Sequence, residues 1–180
     1  MFERNGTSRI AIVGNSSGSC EINFGDTTDD NVGYIKYDHS DNYMSFRTNT
    51  DEQLRIDKDG KVGIGSTTPS EKLDVVGTVK ATDFNSTSDI RLKTNIQPID
   101  DPLAKVIQIE GVSFNWKEDN KPALGVIADQ VEEIIPQIVR GGPDTIKTVN
   151  YNGLIGLLIE AVKEQQIHID NLNERISKLE

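Results

Sequence analysis

The stretch NGLIGLLIEAVKEQQIHIDNLNERISKLE, residues 152–180, carries the strongest periodic signal in the chain and decides how the rest is read. Ile155, Leu158, Val162, Gln165, Ile169, Leu172, Ile176 and Leu179 step by three and four in strict alternation. That is a heptad seam with Ile or Val at a, Leu at d and one polar break at Gln165. A long helix with one narrow apolar stripe pairs with copies of itself rather than with a core of its own. Ile at a with Leu at d favours two strands by the short-peptide rule. Arg175 at a g position faces Glu180 of a neighbouring helix, and Gln165 sits at the axis.

Upstream, the grammar changes near residue 87. Residues 1–87 are rich in Gly, Asn, Asp, Ser and Thr, and their apolar residues come in short packets. Arg9–Val13, Cys20–Phe24, Tyr34–Tyr37, Met44–Phe46, Leu54–Ile56, Lys61–Ile64 and Leu73–Val76 read as seven strands, each bounded by turn residues. Asp59-Gly60 reads as a two-residue type I′ hairpin. Seven short packets bury little within one chain, so the core of this half is expected between chains. Residues 88–180 read as mixed. A helix is expected from Pro102 toward Gly111, then strands at Val112–Trp116 and Leu124–Ile127. A short helix follows over Asp129–Ile135, then strands at Ile138–Val139 and Ile146–Val149, and the long helix from about residue 152. The fold class is therefore α+β: an all-β stem segment over 1–87 and a mixed α/β domain over 88–180.

Composition narrows the function classes. The 180 residues carry 19 basic against 29 acidic side chains, a net charge of -10 shared evenly by the two halves. Backbone-phosphate binding needs a basic face, and 6% aromatics are too few for base stacking, so nucleic acid is no partner. No apolar run approaches the roughly 20 residues of a membrane span, so no membrane insertion is expected. Met1–Asn5 opens no secretion signal. The single Cys20 excludes an internal disulfide. Aligning Gly60 with the glycine of a calcium loop puts Arg55 and Ser66 at ligand positions, and Gly63-Ile64-Gly65 lacks the third glycine of a dinucleotide site. His39 reads as turn material and His168 as a flank of the seam. Neither a cofactor nor a metal is expected.

Ser88-Asp89-Ile90-Arg91-Leu92-Lys93-Thr94-Asn95-Ile96 resembles the opening of the endosialidase-type intramolecular chaperone domain that ends bacteriophage tail spikes and tail fibres. A related self-cleaving domain occurs in the myelin regulatory factor. The resemblance continues through Gly111–Trp116, Gly125–Val131, Pro136, Val149-Asn150-Tyr151 and the terminal helix. Leu54–Gly65 with Thr68–Val75 is similar to the stretch that commonly precedes this domain in phage fibres. The resemblance implies a homotrimer whose C-terminal domain helps three β stems assemble and then cuts itself off. The cut is implied between Thr87 and Ser88, with Ser88 as nucleophile and Lys93 as base, by an acyl shift onto Ser88 Oγ followed by hydrolysis or by a related route. Asp89 and Arg91 match family positions, with an orienting role or a plain ion pair as readings, and Asp89 placed to orient Lys93. The implied location is the virion tail, after synthesis in the host cytoplasm, and the stem or tip has a host cell-surface receptor as a further partner. The rival reading is a non-cleaving trimeric tip that stays attached and contacts that receptor.

A serine hydroxyl is a weak nucleophile and needs a base. A lysine serves when its amine is neutral, which burial favours, and Ser–Lys pairs do replace the Ser-His-Asp arrangement. In an extended strand, at roughly 3.3 Å per residue, Ser88 and Lys93 do not meet. A turn between them is required.

Overall fold

The computed structural model describes residues 10–179. The chain divides into two compact units, Met1–Thr87 and Ser88–Glu180.

The first unit is one six-stranded sheet. β1 (Ser19–Phe24), β2 (Gly33–Asp38), β3 (Tyr43–Thr48), β4 (Asp51–Ile56) and β5 (Val62–Ile64) form an antiparallel meander, and β6 (Leu73–Val75) pairs parallel with β5. Register aligns two apolar rows on one face. Ile22, Ile35, Phe46, Leu54, Ile64 and Val75 make one row; Cys20, Tyr37, Met44, Ile56, Val62 and Leu73 make the other. This face stays open in the single chain, with Ile22, Phe24, Met44, Ile56, Ile64 and Leu73 all exposed.

The opposite face is the covered one. Arg55 makes a two-pronged pair with Glu52 at 2.6 and 2.9 Å and stacks its guanidinium 3.8 Å from the Tyr43 ring centre. Lys36 donates to the Tyr43 hydroxyl at 2.9 Å, and Arg47 lies over Tyr34. Ser45, on the same face, is fully buried. Cation–ring contacts of this sort hold long side chains flat on a sheet.

Two turns differ from the sequence reading. Asp59-Gly60 does lie in the β4–β5 hairpin, but only Gly60 has positive φ (70°). Its N–H closes a turn on the Asp57 carbonyl at 3.0 Å, and Asp57 Oδ1 accepts from the Asp59 and Lys61 amides. This is a longer loop ending in a glycine bulge. The two-residue turn with both central φ angles positive is instead Asn49-Thr50, at 49° and 66°, between β3 and β4. A β-branched residue is strained there. Thr50→Gly is expected to stabilise the unit by roughly 0.5–1 kcal/mol, read as a higher urea midpoint at unchanged m-value.

Arg9 lies outside the described residues, and Ile10–Val13 form no strand; Ile10 and Val13 are almost fully exposed. No strand of the sheet forms a ladder with them, and the Cys20 thiol donates to the Ile12 carbonyl at 3.4 Å.

The second unit runs α1 (Pro102–Val106), a hairpin of β7 (Val112–Asn115) and β8 (Pro122–Gly125), α2 (Ala128–Ile134), a 3-10 turn at Pro136–Ile138, a two-residue ladder of β9 (Val139–Arg140) and β10 (Thr148–Val149), and α3 (Tyr151–Ser177). Its core is small: Val131, Ile138 and Val139, flanked by Ile109, Val126, Ala128, Ile135, Val149 and Leu154. Gly153 touches this core closely, since a Cβ there would meet Ile138 Cγ2 at 2.3 Å.

Several elements are shorter than the sequence suggests. α1 ends at Val106, and its N-cap Asp101 is left-handed (φ 44°) with no side-chain cap bond. Glu164 of α3 supplies the cap from elsewhere, accepting from the Leu103 amide at 3.1 Å. The strand expected at Ile138–Val139 moves on one residue to Val139–Arg140 because the 3-10 turn begun by Pro136 takes Ile138, and the one expected at Ile146–Val149 shrinks to Thr148–Val149 behind the turn at Gly141 (φ 99°). β8 likewise stops at Gly125, two residues before Ile127.

Lys147 ties the β10 end to α2, with Nζ 2.6 Å from Asp129 Oδ1 and 2.7 Å from Glu132 Oε2. These hydrogen bonds, that to Asp129 first, raise the Lys147 pKa, and the Asp129 carboxyl is held below its ordinary range by Lys147. A carboxyl with a depressed folded pKa contributes stability above its unfolded value, about 3.9, and loses it as pH falls through the folded value. The gap in urea midpoint between wild type and Asp129→Asn is therefore expected to be present at about pH 7 and to close as pH falls through the folded value, which lies below the unfolded value of about 3.9.

α3 spans 27 residues, about 40 Å. Asn150 caps it, accepting from the Asn152 amide at 3.1 Å. Leu157 and Ala161 are buried. The neighbouring stripe is not: Ile155, Leu158, Val162, Ile169, Leu172, Ile176 and Leu179 are all exposed, as is every residue from Gln165 to Leu179. Glu180, the expected partner of Arg175, lies outside the described residues. No helix among the described residues is long and apolar enough to cross a membrane.

Candidate active site

Thr87 and Ser88 lie at the division between the units, in a stretch that belongs to no strand or helix. Beyond Ser88 the backbone makes one tight 3-10 turn, Ile90–Leu92. Asp89 starts it: its Oδ1 accepts from the Arg91 amide at 2.9 Å. The Leu92 amide then bonds to the Asp89 carbonyl and the Lys93 amide to the Ile90 carbonyl, both at 3.1 Å. Lys93 leaves the turn in extended conformation (φ -120°, ψ 143°). Its side chain folds back across the turn, and Nζ lies 2.7 Å from Ser88 Oγ. The local fold thus brings together two side chains that a straight strand keeps apart.

Asp89 and Arg91 form their own pair. Arg91 Nε donates to Oδ1 at 3.0 Å and to Oδ2 at 3.2 Å, and Nη2 donates to Oδ2 at 2.7 Å. The Arg91 side chain first, and its amide second, hold the Asp89 carboxyl below the ordinary carboxylate range. The carboxylate is spent on Arg91. Of the two readings, orienting Lys93 or pairing with Arg91, the hydrogen bonds of the carboxylate are those of the pair. The missed role, a cap on the Arg91 amide, has a sequence signal: aspartate closes turns on the amide two residues ahead.

The chemistry of a Ser–Lys pair at 2.7 Å depends on which partner holds the proton. A lysine ammonium only donates to the serine oxygen. The neutral amine accepts from the hydroxyl over the same distance and leaves the oxygen nucleophilic. Ser88 and Lys93 are both exposed in the single chain.

Other candidates do not join this site. His39 lies in the β2–β3 turn with Nε2 3.4 Å from Cys20 Sγ, and His168 lies on the exposed part of α3. Among the described residues no three His, Cys, Asp or Glu side chains cluster within reach of one metal ion.

Residues 88–140 match the family model described as chaperone of endosialidase, a self-cleaving, peptidase-type chaperone domain. The match begins at Ser88, the first residue of the second unit. About half of the chain is similar to phage long tail fibre proteins. It is 33% identical to the long tail fiber protein Gp37 of Enterobacteria phage K3 over 98 residues, covering 49% of this chain and 8% of that protein. Identity to Gp37 of Escherichia phage AR1 is 36% over 87 residues, covering 43% of this chain and 8% of that protein. For Gp37 of Salmonella phage S16 it is 28% over 114 residues, covering 57% and 15%. The chain therefore spans less than a sixth of the length of these relatives.

Proposed function

We propose that the chain is the C-terminal part of a phage tail fibre, in the virion tail, and that Ser88–Glu180 drives three copies to assemble. It then releases itself by cutting the bond between Thr87 and Ser88. The observation that carries this reading is the 2.7 Å contact of Lys93 Nζ with Ser88 Oγ, one residue past the division between the units. The two open apolar surfaces support the assembly step. Each leaves a row of large side chains in water, which soluble single chains avoid at this size.

The reaction is an acyl shift. Neutral Lys93 takes the proton of Ser88 Oγ, and the oxygen attacks the Thr87 carbonyl carbon. Lys93 returns the proton to the Ser88 nitrogen as the C–N bond breaks, leaving an ester between Thr87 and Ser88 Oγ and a free amine on Ser88. Water hydrolyses the ester, giving a Thr87 carboxylate and restoring the hydroxyl. Exclusion of water favours the uncharged form of an amine, so covering this stretch by neighbouring copies couples cutting to assembly. The test is a denaturing gel of the expressed chain: two bands split at Thr87–Ser88 support self-release, and one band that persists on long incubation favours the tip that stays attached.

A further inference from the structure

The dyad is held by a turn, and one carboxylate starts that turn. Five residues separate Ser88 from Lys93, and the contact exists because Ile90–Leu92 form a single 3-10 turn between them. A lone turn of this kind has two backbone bonds and no neighbours along a helix to support it. Ile90 and Leu92 are exposed, so packing within the chain does not fix it either. What remains is the bond that the Arg91 amide donates to the Asp89 carboxylate at 2.9 Å.

We propose that Asp89 is a positioning residue for self-cleavage, acting through the 3-10 turn by capping the Arg91 amide and so holding Lys93 within reach of Ser88. It touches neither the scissile bond nor Lys93, and its negative charge is not what the reaction uses. The inference rests on the self-cleavage reading.

Three substitutions separate cap, charge and ion pair. Asp89→Ala removes the cap. Asp89→Asn keeps a carbonyl oxygen that accepts from the same amide but discards the charge. Arg91→Ala discards the ion pair but keeps the backbone amide. First-order cleavage rates are read by intact mass, with wild type as the control. Asp89→Ala is expected to slow cutting by about five-fold, the factor a lost helix cap is worth. Asp89→Asn restores at least half the wild-type rate, and Arg91→Ala stays within about two-fold of it. The shape of the rate-against-pH profile is the same in all four chains, since the carboxylate does not act on Lys93. In the uncut Ser88→Ala chain, nuclear magnetic resonance gives a readout independent of cutting: the Arg91 amide proton keeps its hydrogen-bonded shift with Asn at position 89 and loses it with Ala. Equal rates for wild type and Asp89→Ala overturn the inference. So does an Asn variant as slow as the Ala variant, or a shifted pH profile, either of which assigns the effect to charge. A wild type that never cuts removes the self-cleavage reading itself, which is a different failure.

Discussion

Intact-mass analysis of the purified wild-type chain is expected to give two species, Met1–Thr87 and Ser88–Glu180, while Ser88→Ala gives one full-length species that still assembles. The effect is all-or-none, because without the hydroxyl no acyl acceptor precedes water at the Thr87 carbonyl. Lys93→Ala is expected to be equally uncut. Lys93→Arg separates base from mere contact: guanidinium reaches and donates but stays protonated at any usable pH, so it cannot take the Oγ proton. Robust cutting by the arginine variant removes Lys93 from the base role. Only the unprotonated amine accepts a proton, so the wild-type rate is expected to rise with pH and then level off. A rate flat from acid to alkaline conditions contradicts the same assignment.

Light scattering on the Ser88→Ala chain is expected to report about three times 19.9 kDa. The short-peptide preference of the seam for two helices is opposed by the area that the sheet adds. Six strands spaced about 4.8 Å apart span roughly 29 Å, and two side-chain rows give a face on the order of 400 Å² per copy. At about 25 cal/mol per Å², covering it contributes up to about 10 kcal/mol per copy, while the a/d preference is a difference of small packing terms. A charge on either surface should therefore dissolve the assembly. Phe46→Asp in the sheet row and Ile169→Asp at an a position each bury an unpaired carboxylate at a cost of roughly 3–5 kcal/mol per copy. Both are expected to lower the mass toward that of one chain, with Asn171→Asp, off the seam on α3, as the unchanged control. A clean dimer or monomer for the parent chain sinks the three-copy architecture.

How much of this was legible depended on whether the deciding interaction was local. Six of the seven apolar packets became strands because turn residues bound each one and alternation sets which face is apolar. Ile10–Val13 has the same composition but no pairing partner in its own sheet, which no property of the four residues reveals. The Asn49-Thr50 turn escaped because it lacks glycine: the sheet's register imposes positive φ on a threonine that would not choose it. The apolar stripe of Leu103, Val106 and Ile107 points to a helix running on toward Gly111, yet Ile109 packs beside Val131 in the core. The α1 cap comes from Glu164, sixty-one positions away, so no local pattern could show it. In the site, a serine five residues before a lysine means little by spacing alone. Ser88 and Lys93 are legible through family resemblance and the need for a turn through their spacing, while of the two readings open for Asp89 the structure shows the ion pair with Arg91.

The proposed nucleophile and base, and the turn that joins them, all lie on one side of the bond they would break. Ser88, Asp89, Arg91 and Lys93 belong to the second unit, and the last residue of the first is Thr87, which offers only a carbonyl. A cut there is a departure of the whole machinery along with its product. On the proposed reading Ser88 and Lys93 depart with the released unit, so the cut would run once per chain, as a one-way clock that each chain carries for itself. It also leaves a free carboxylate at Thr87, one more negative charge on a half that already stands at five, at the point where its neighbour has just been lost.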